Sequence, residues 1–262
     1  MSRVCQLFSG SSGNSTYIGT SESGILVDAG VNAKRLTEGL DDIGITPEKI
    51  KAIFVTHEHI DHIRGVRVFA SKHKTPVFAT PGTLEVMDRD GHINGKFPVF
   101  SMEYEEIEIN GFKVRNFQTS HDCAQSCGYT VTLPDSRSVA VCTDLGFVSG
   151  EVKHSVGGCD LVVFESNHDI DMLKNGAYPY YLKQRILGRI GHLSNENSAN
   201  ELPGFVERGT TRIILSHLSR ENNRPLIAKN TAVAALSEYG MEAGRDYLIS
   251  IAPPSNGELV VF

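Results

Sequence analysis

Tryptophan is absent from the chain, and that absence carries no functional message. Other absences exclude more. No apolar run approaches the roughly 18 residues of a membrane span, and the opening MSRVCQLFSG has no long apolar core of the kind a signal peptide carries. The expectation is a cytoplasmic protein with no membrane partner. Cysteine is scarce: five residues (Cys5, Cys123, Cys127, Cys142, Cys159), an odd number without paired CxxC spacing. That pattern fits reduced thiols rather than a disulfide framework. Cys123 and Cys127 could form a redox pair, although core packing is the better reading. There is no repeat, no low-complexity tract and no convincing linker. An excess of positive charge is also lacking. The formal net charge of −6 argues against indiscriminate binding to polyanions, but leaves room for a local basic groove.

What is present is an ordinary globular composition, 40% hydrophobic and 21% charged over 262 residues, enough for one large domain or two small ones. The most informative stretch is THEHIDH at 56–62. It sets His57, His59, Asp61 and His62 directly after the apolar run Ala52-Ile53-Phe54-Val55. Imidazole and carboxylate at this density are costly to fold without a cation, and they are donors that divalent first-row metals prefer. Alternate residues of an extended chain point the same way. His57 and His59 can therefore reach one ion, while Asp61 and His62, past the turn, can reach a second. A solvated loop, or Asp61 capping a helix over 63–73, is the competing account.

Apolar runs at 4–8, 15–19, 24–28, 52–56, 77–79, 112–117, 127–133, 138–142, 161–165, 212–216, 246–250 and 258–262 predict strands. Helical periodicity occupies about 32–43, 63–74, 82–90, 179–190, 195–208 and 223–239. Ser194 or Asn195 is a plausible N-cap for the helix after GHLSN. Strands in both halves with helices outside suggest two facing mixed sheets covered by helices.

Polar chemistry gathers where apolar runs end. Asp28 follows ILV, His57 follows IFVT, Asp144 follows VAVCT, Glu165 follows LVVF and His217 follows IILS. His121, Asp144 and His217 extend the donor set to five His and two Asp, more than one tetrahedral ion takes. The assignment is His57, His59, His121 and Asp144 to one ion, and Asp61, His62, Asp144 and His217 to the other, with Asp144 shared. Taken singly, Asp144 reads as a turn residue and His121 as a surface or capping group. Asp28, before Gly30, either orients a ligand from behind or caps the helix starting near Asn32.

Together ILVDAG, THEHIDH, SHDCAQSCGY, TDLG and ILSHLS resemble the five ordered motifs of the metallo-β-lactamase superfamily, over residues 24–220. The resemblance implies an α/β fold, the four-layer αββα sandwich, as one domain over 1–262. Only residues 145–216 separate Asp144 from His217, too few for a β-CASP insertion. His121 followed by Gly128-Tyr129 is similar to the third motif of tRNase Z-like phosphodiesterases, not to the GHTxG of glyoxalases and lactonases. FSGSSGNSTYI, the stretch 165–195 and LSHLSRENNRP resemble the YycJ (WalJ) family. That likeness implies a cytoplasmic metal-dependent 5′-to-3′ exonuclease on double-stranded DNA; zinc and manganese both accept His and Asp ligands, and the sequence does not choose between them for the two ions. His192, in GHLSN, matches a histidine of the tRNase Z relatives. It is a candidate to protonate the leaving oxygen or to contact phosphate. Glu165 and His168 fall at an acidic motif of those relatives, and Glu165 could position His192.

Two neighbouring cations can bind one phosphate and hold a hydroxide between them that attacks phosphorus in line. The loop from Ser9 to Ser15, with Ser11, Ser12 and Asn14, can offer hydroxyls and backbone N–H groups to an anion, or is only a hairpin turn. Residues 172–192 hold Lys174, Lys183, Arg185 and Arg189 without an acid, interleaved with Tyr178, Tyr180 and Tyr181. Arg220, Arg224 and Lys229 follow His217. Cations beside aromatics suit a nucleic-acid backbone and exposed bases, or form a solvated helix face. Lys183, Arg185 and Arg220 are the expected substrate contacts, and DNA is the expected partner. The alternatives are a phosphodiesterase for a small cyclic or nucleotide substrate, a lactone, thioester or β-lactam hydrolase, and a non-catalytic metal-binding protein.

Overall fold

The computed structural model describes residues 1–262. Fourteen strands follow in chain order: β1 (Arg3–Phe8), β2 (Ser15–Gly19), β3 (Gly24–Val27), β4 (Ile50–Phe54), β5 (Val77–Ala79), β6 (Val99–Ser101), β7 (Glu106–Ile109), β8 (Phe112–Gln118), β9 (Cys127–Thr132), β10 (Ser138–Cys142), β11 (Leu161–Glu165), β12 (Arg212–Ser216), β13 (Leu248–Ile251) and β14 (Val260–Val261). The chain packs as two compact units. The first takes residues 1–116, 123–137 and 252–262, and the second takes 117–122 and 138–251. No helix is long and apolar enough to cross a membrane.

In the first unit a seven-stranded sheet runs β14-β1-β2-β3-β4-β5-β6. The strands from β14 through β3 pair antiparallel, and β3 through β6 pair parallel. Parallel neighbours need crossovers, supplied here by helices Ala33–Asp42, Val66–His73 and Pro81–Arg89. Leu36 and Leu40, four apart on one helical face, pack with Phe69, Ala70 and Met87 against Leu26, Ile53 and Val77 of the strands. Each such fully buried aliphatic or aromatic side chain contributes roughly 1.5–3 kcal/mol. The hairpin β7–β8 turns on Asn110-Gly111, both at positive φ (51° and 81°), the backbone that a two-residue hairpin loop requires.

The second unit holds four strands in the order β13-β12-β11-β10, all parallel. The unbroken apolar runs VAVC, LVVF and the IILS of β12 belong to parallel strands buried on both faces. Val152, Leu202, Phe205, Ala228, Ala232 and Leu236, all from helices, complete this core with Ala140, Phe164 and Leu215. Phe164 and Phe205 meet edge to face at 5.2 Å.

Every predicted strand forms, within a few residues. Strands β6 and β7 carry no legible signal: β6 has three residues, and β7 (EIEI) is half exposed along its length. Helices Gly150–Val156 and Ile170–Asn175 are too short for a 3.6-residue period to register. The helix predicted over 195–208 is two, Asn195–Ala199 and Leu202–Glu207, because Pro203 has no N–H to continue the first. Ser194 is the N-cap, its hydroxyl accepting from the Asn197 N–H at 3.1 Å.

Candidate metal centre

In both units the candidate donors sit at the carboxyl ends of parallel strands, where α/β folds place their ligands. Asp28 directly follows β3, and His217 directly follows β12. Asp144 comes two residues after β10, and Glu165 ends β11. Asp28, Asp144 and His217 all adopt left-handed backbone, with φ of 64°, 60° and 58°. Non-glycine residues pay a steric cost there, and such conformations concentrate at functional sites.

In the first unit β4 runs into Thr56 and the histidine loop. His57 is buried, with its ring centroid 4.0 Å from that of His62 and 4.6 Å from that of His59. His57 Nε2 stands 3.1 Å from His59 Nδ1, and His62 Nε2 stands 3.7 Å from Asp61 Oδ2. Asp28 lies behind them. Its Oδ1 accepts the Thr56 N–H at 2.8 Å. Its Oδ2 accepts the Thr56 hydroxyl at 2.9 Å and faces His62 Nδ1 at 2.8 Å. With Nδ1–H given to Asp28, His62 keeps the Nε2 lone pair for a ligand role. Burial raises the Asp28 carboxyl above its ordinary range, while His62 and then Thr56 pull it the other way. Asp28 does not cap the following helix: Asn32 does, accepting from the Arg35 N–H at 2.9 Å.

The serine-rich loop closes on this cluster. The Asn14 N–H donates to Asp61 O at 2.8 Å, and Asn14 Nδ2 stands 3.0 Å from His62 Nε2. Asn14 Oδ1 accepts from the Gly10 N–H at 2.8 Å. Gly30 must be glycine, because a Cβ there would lie 1.6 Å from Asp61 O and 2.6 Å from the Asn14 nitrogen. Of the three expected substrate contacts here, Asn14 is buried, Ser12 is half-buried and Ser11 is exposed.

In the second unit Asp144 Oδ1 has three imidazole nitrogens around it: His217 Nδ1 at 3.4 Å, His192 Nδ1 at 3.7 Å and His121 Nε2 at 3.8 Å. Asp144, Glu165, His192 and His217 each offer a donor atom within 4.8 Å of the others. Glu165 is fully buried. Its Oε1 lies 2.9 Å from both His192 Nδ1 and His217 Nδ1, and its Oε2 accepts the N–H of Leu145 at 3.2 Å and of Leu193 at 3.0 Å. Burial would raise its carboxyl. The two imidazoles outweigh burial and hold it below the usual carboxylate range. His121 gives its Nδ1–H to Gly191 O at 3.1 Å, and burial above all lowers its pKa, which favours the neutral ring that a ligand needs. These donors fit a divalent cation. They are imidazoles and carboxylates, and His121, His192 and His217, each with Nδ1 on a carbonyl or carboxylate oxygen, keep Nε2 for a metal or a substrate.

The other predicted residues are placed as follows. Lys183 Nζ donates to the carbonyls of Lys174 and Gly176 at 2.7 Å each, tying down the turn before its helix. Arg185, at the surface, pairs through Nε with Asp122. Arg220 is exposed. His168 is buried, and burial lowers its pKa to about 4. All five cysteines are free thiols, and only Cys123 is not buried. Sequence reasoning missed Thr56, whose hydroxyl also stands 3.0 Å from His57 Nδ1, and Asn167, whose Nδ2 donates to His217 O at 2.9 Å. It missed Asp122 too, whose Oδ1 lies 3.4 Å from His121 Nε2. Thr56 and Asp122 left a trace, their adjacency to His57 and His121.

A β-lactamase superfamily domain matches residues 24–217, and the chain is a metal-dependent hydrolase of that class. Along 95% of its length it is 36% identical to the exodeoxyribonuclease YycJ of Bacillus anthracis, covering 94% of that protein. It is 37% identical to the exodeoxyribonuclease WalJ of Streptococcus pneumoniae, over 95% of this chain and 93% of that one. The chain belongs to the YycJ (WalJ) family of the metallo-β-lactamase superfamily. Among solved structures, the metallo-β-lactamase fold protein YhfI from Bacillus subtilis is similar over 99% of this chain and 98% of that one. The TM-score is 0.74 at 15% identity, a likeness of fold alone. The α/β fold expected from the motifs, the αββα metallo-β-lactamase fold, is thus the fold of this chain.

Proposed function

We propose that this protein is a dinuclear phosphodiesterase acting on nucleic acid in the cytoplasm, a 5′-to-3′ exonuclease on double-stranded DNA, with its 262 residues working as one domain without a β-CASP insertion. One observation carries the reading: a fully buried carboxylate, Glu165, lies 2.9 Å from Nδ1 of both His192 and His217 and so leaves the Nε2 atom of each ring for a metal or a substrate. The exodeoxyribonuclease names of relatives matched over 95% of the chain support it. His57, His59, His121 and Asp144 would hold one ion, and Asp61, His62, Asp144 and His217 the other. When bound, two divalent cations, zinc or manganese, supply positive charge for the phosphate oxygens and lower the pKa of water.

The side chains do the rest. Glu165 takes the Nδ1–H of His192 and so turns the Nε2 edge of that ring outward. The side chain is 17% exposed, enough to meet a substrate. In its doubly protonated form, with Nδ1–H on Glu165, His192 hands the Nε2 proton to the leaving oxygen and is left as the neutral ring. Glu165, with no exposed surface, positions His192 and His217 and does not touch substrate. Asp28 does the same for His62. The Ser11 and Ser12 hydroxyls, Arg185 and Arg220 contact the phosphates. Asn14 holds the serine loop against the Asp61 carbonyl through its backbone N–H.

The test is a nuclease assay on end-labelled duplex DNA, single-stranded DNA and RNA after chelation and re-addition of zinc or manganese. Cleavage that disappears with the metal and returns with it is expected. No cleavage of any of the three with either metal would end the proposal. His192→Ala is expected to keep its metal while kcat falls about 10²- to 10⁴-fold. Wild-type rates would remove His192 from the reaction.

A further inference from the structure

Two exposed side chains are not used by this chemistry. Helix Tyr180–Leu187 leaves Tyr180 and Tyr181 76% and 74% exposed. Two neighbouring aromatic rings in water are unusual on a folded surface, where such area is normally buried or bound. Around them, residues 172–192 carry Lys174, Lys183, Arg185 and Arg189 and no acid. Asp122, from outside the stretch, offsets only Arg185.

The helix is fastened to His121 and His192 at several points. Arg185 pairs with Asp122, whose Oδ1 stands 3.4 Å from His121 Nε2. The His192 N–H donates to Ile186 O at 3.0 Å, and the Ser120 hydroxyl donates to Arg189 O at 2.7 Å. Gly191 permits this tight return, since a Cβ there would lie 2.2 Å from Ile186 O. The two rings are therefore held at a set distance from His121 and His192. From Tyr180 to Ile186 the helix rises roughly 9 Å at about 1.5 Å per residue. That is two to three nucleotides at about 3.4 Å per step of one strand.

We propose that Tyr180 and Tyr181 form a stacking platform for unpaired bases two to three nucleotides from the phosphodiester being cut, so that the enzyme engages a frayed or overhanging end. The inference rests on the nucleic-acid reading of the site. Inside a duplex the base faces are covered by their neighbours, so two to three nucleotides from the cut only an unpaired base has a face to lay on a tyrosine ring. The exposed Lys174 and Arg189 flanking the rings meet the backbone of the same strand. A closed duplex or a protein partner would leave one of these two features without a role.

The test uses the full chain, loaded with whichever of zinc and manganese restores cleavage. KM is measured on a duplex with a three-nucleotide overhang and on the same duplex with abasic residues in the overhang. The wild type is expected to show a KM about ten-fold or more higher on the abasic end, from the loss of base–aromatic stacking. In the pair Tyr180→Ala and Tyr181→Ala that ratio collapses toward one. The pair Tyr180→Phe and Tyr181→Phe, which keeps the rings, keeps the ratio. A wild-type ratio of one, or an alanine pair with the wild-type ratio, overturns the platform. A wild type that cuts no nucleic acid at all overturns the nuclease reading, a distinguishable result.

Discussion

Asp144→Asn is expected to abolish cleavage and to remove bound metal in the same variant. Asparagine is the informative replacement because Asp144 sits at φ 60°, a left-handed backbone that asparagine tolerates well and alanine does not. Alanine there would add roughly 1–2 kcal/mol of backbone strain and confuse a folding defect with a ligand defect. Asparagine keeps the size and one oxygen but loses the charge. In the proposed assignment Asp144 serves both ions, so both should weaken. A fall in turnover of about 10³-fold or more is expected, the scale of losing a directed electrostatic contact in a dry site. Metal analysis by mass spectrometry of the purified variant beside single-turnover rates is the measurement. A variant with full metal content and wild-type turnover would refute the shared role.

The second large effect is expected at Glu165. This carboxylate is fully buried and receives two imidazole N–H groups on Oε1 and two backbone N–H groups on Oε2. Four donors converge on one anion, and glutamine cannot replace it. Its amide turns NH₂ either toward His192 and His217 or toward Leu145 and Leu193, and donors then face donors. Leaving two buried donors without acceptors costs roughly 2–6 kcal/mol. The two rings lose their orientation, so metal affinity should drop about 10- to 100-fold, as when a carboxylate behind a ligand is removed. Thermal melting and metal titration of Glu165→Gln test both effects, and wild-type values in the two together would rule out the bridging role. Acid sensitivity gives an independent check. Because the folded carboxyl lies below its ordinary value of 4.5, ionised Glu165 contributes stability that is present above that value and lost as the pH falls through the depressed one. The glutamine variant should therefore show a shallower loss of stability with acid.

Much of this was legible in one dimension because the chemistry rides on strand ends. VAVCT before Asp144, LVVF before Glu165 and IILS before His217 each couple a buried parallel strand to a polar residue, and apolar runs are the most readable signal a sequence carries. The THEHIDH loop needed even less, since its four donors are neighbours in the chain. What could not be read was the set of contacts between residues far apart in sequence. Nothing in FESNHD says that one oxygen of Glu165 lies 2.9 Å from both His192 and His217. Asp28 had two readings of equal merit until Asn32 proved to be the cap and His62 the partner. The acid-free stretch 172–192 looked like uniform basic surface. The fold divided it, with Lys183 on two carbonyls, Arg185 on Asp122 and the two tyrosines in water.

By itself, the sequence determined which residue types end the strands, and so the superfamily and the candidate donors for a cation. Those follow from local pattern: hydrophobic runs choose strands, and histidine and aspartate choose metal. The tertiary structure alone decided which nitrogen each histidine presents, which carboxylate stands behind it and which cations remain available to a substrate. Those outcomes depend on hydrogen bonds of about 3 Å between segments dozens of residues apart, and no local pattern specifies a distance of that kind.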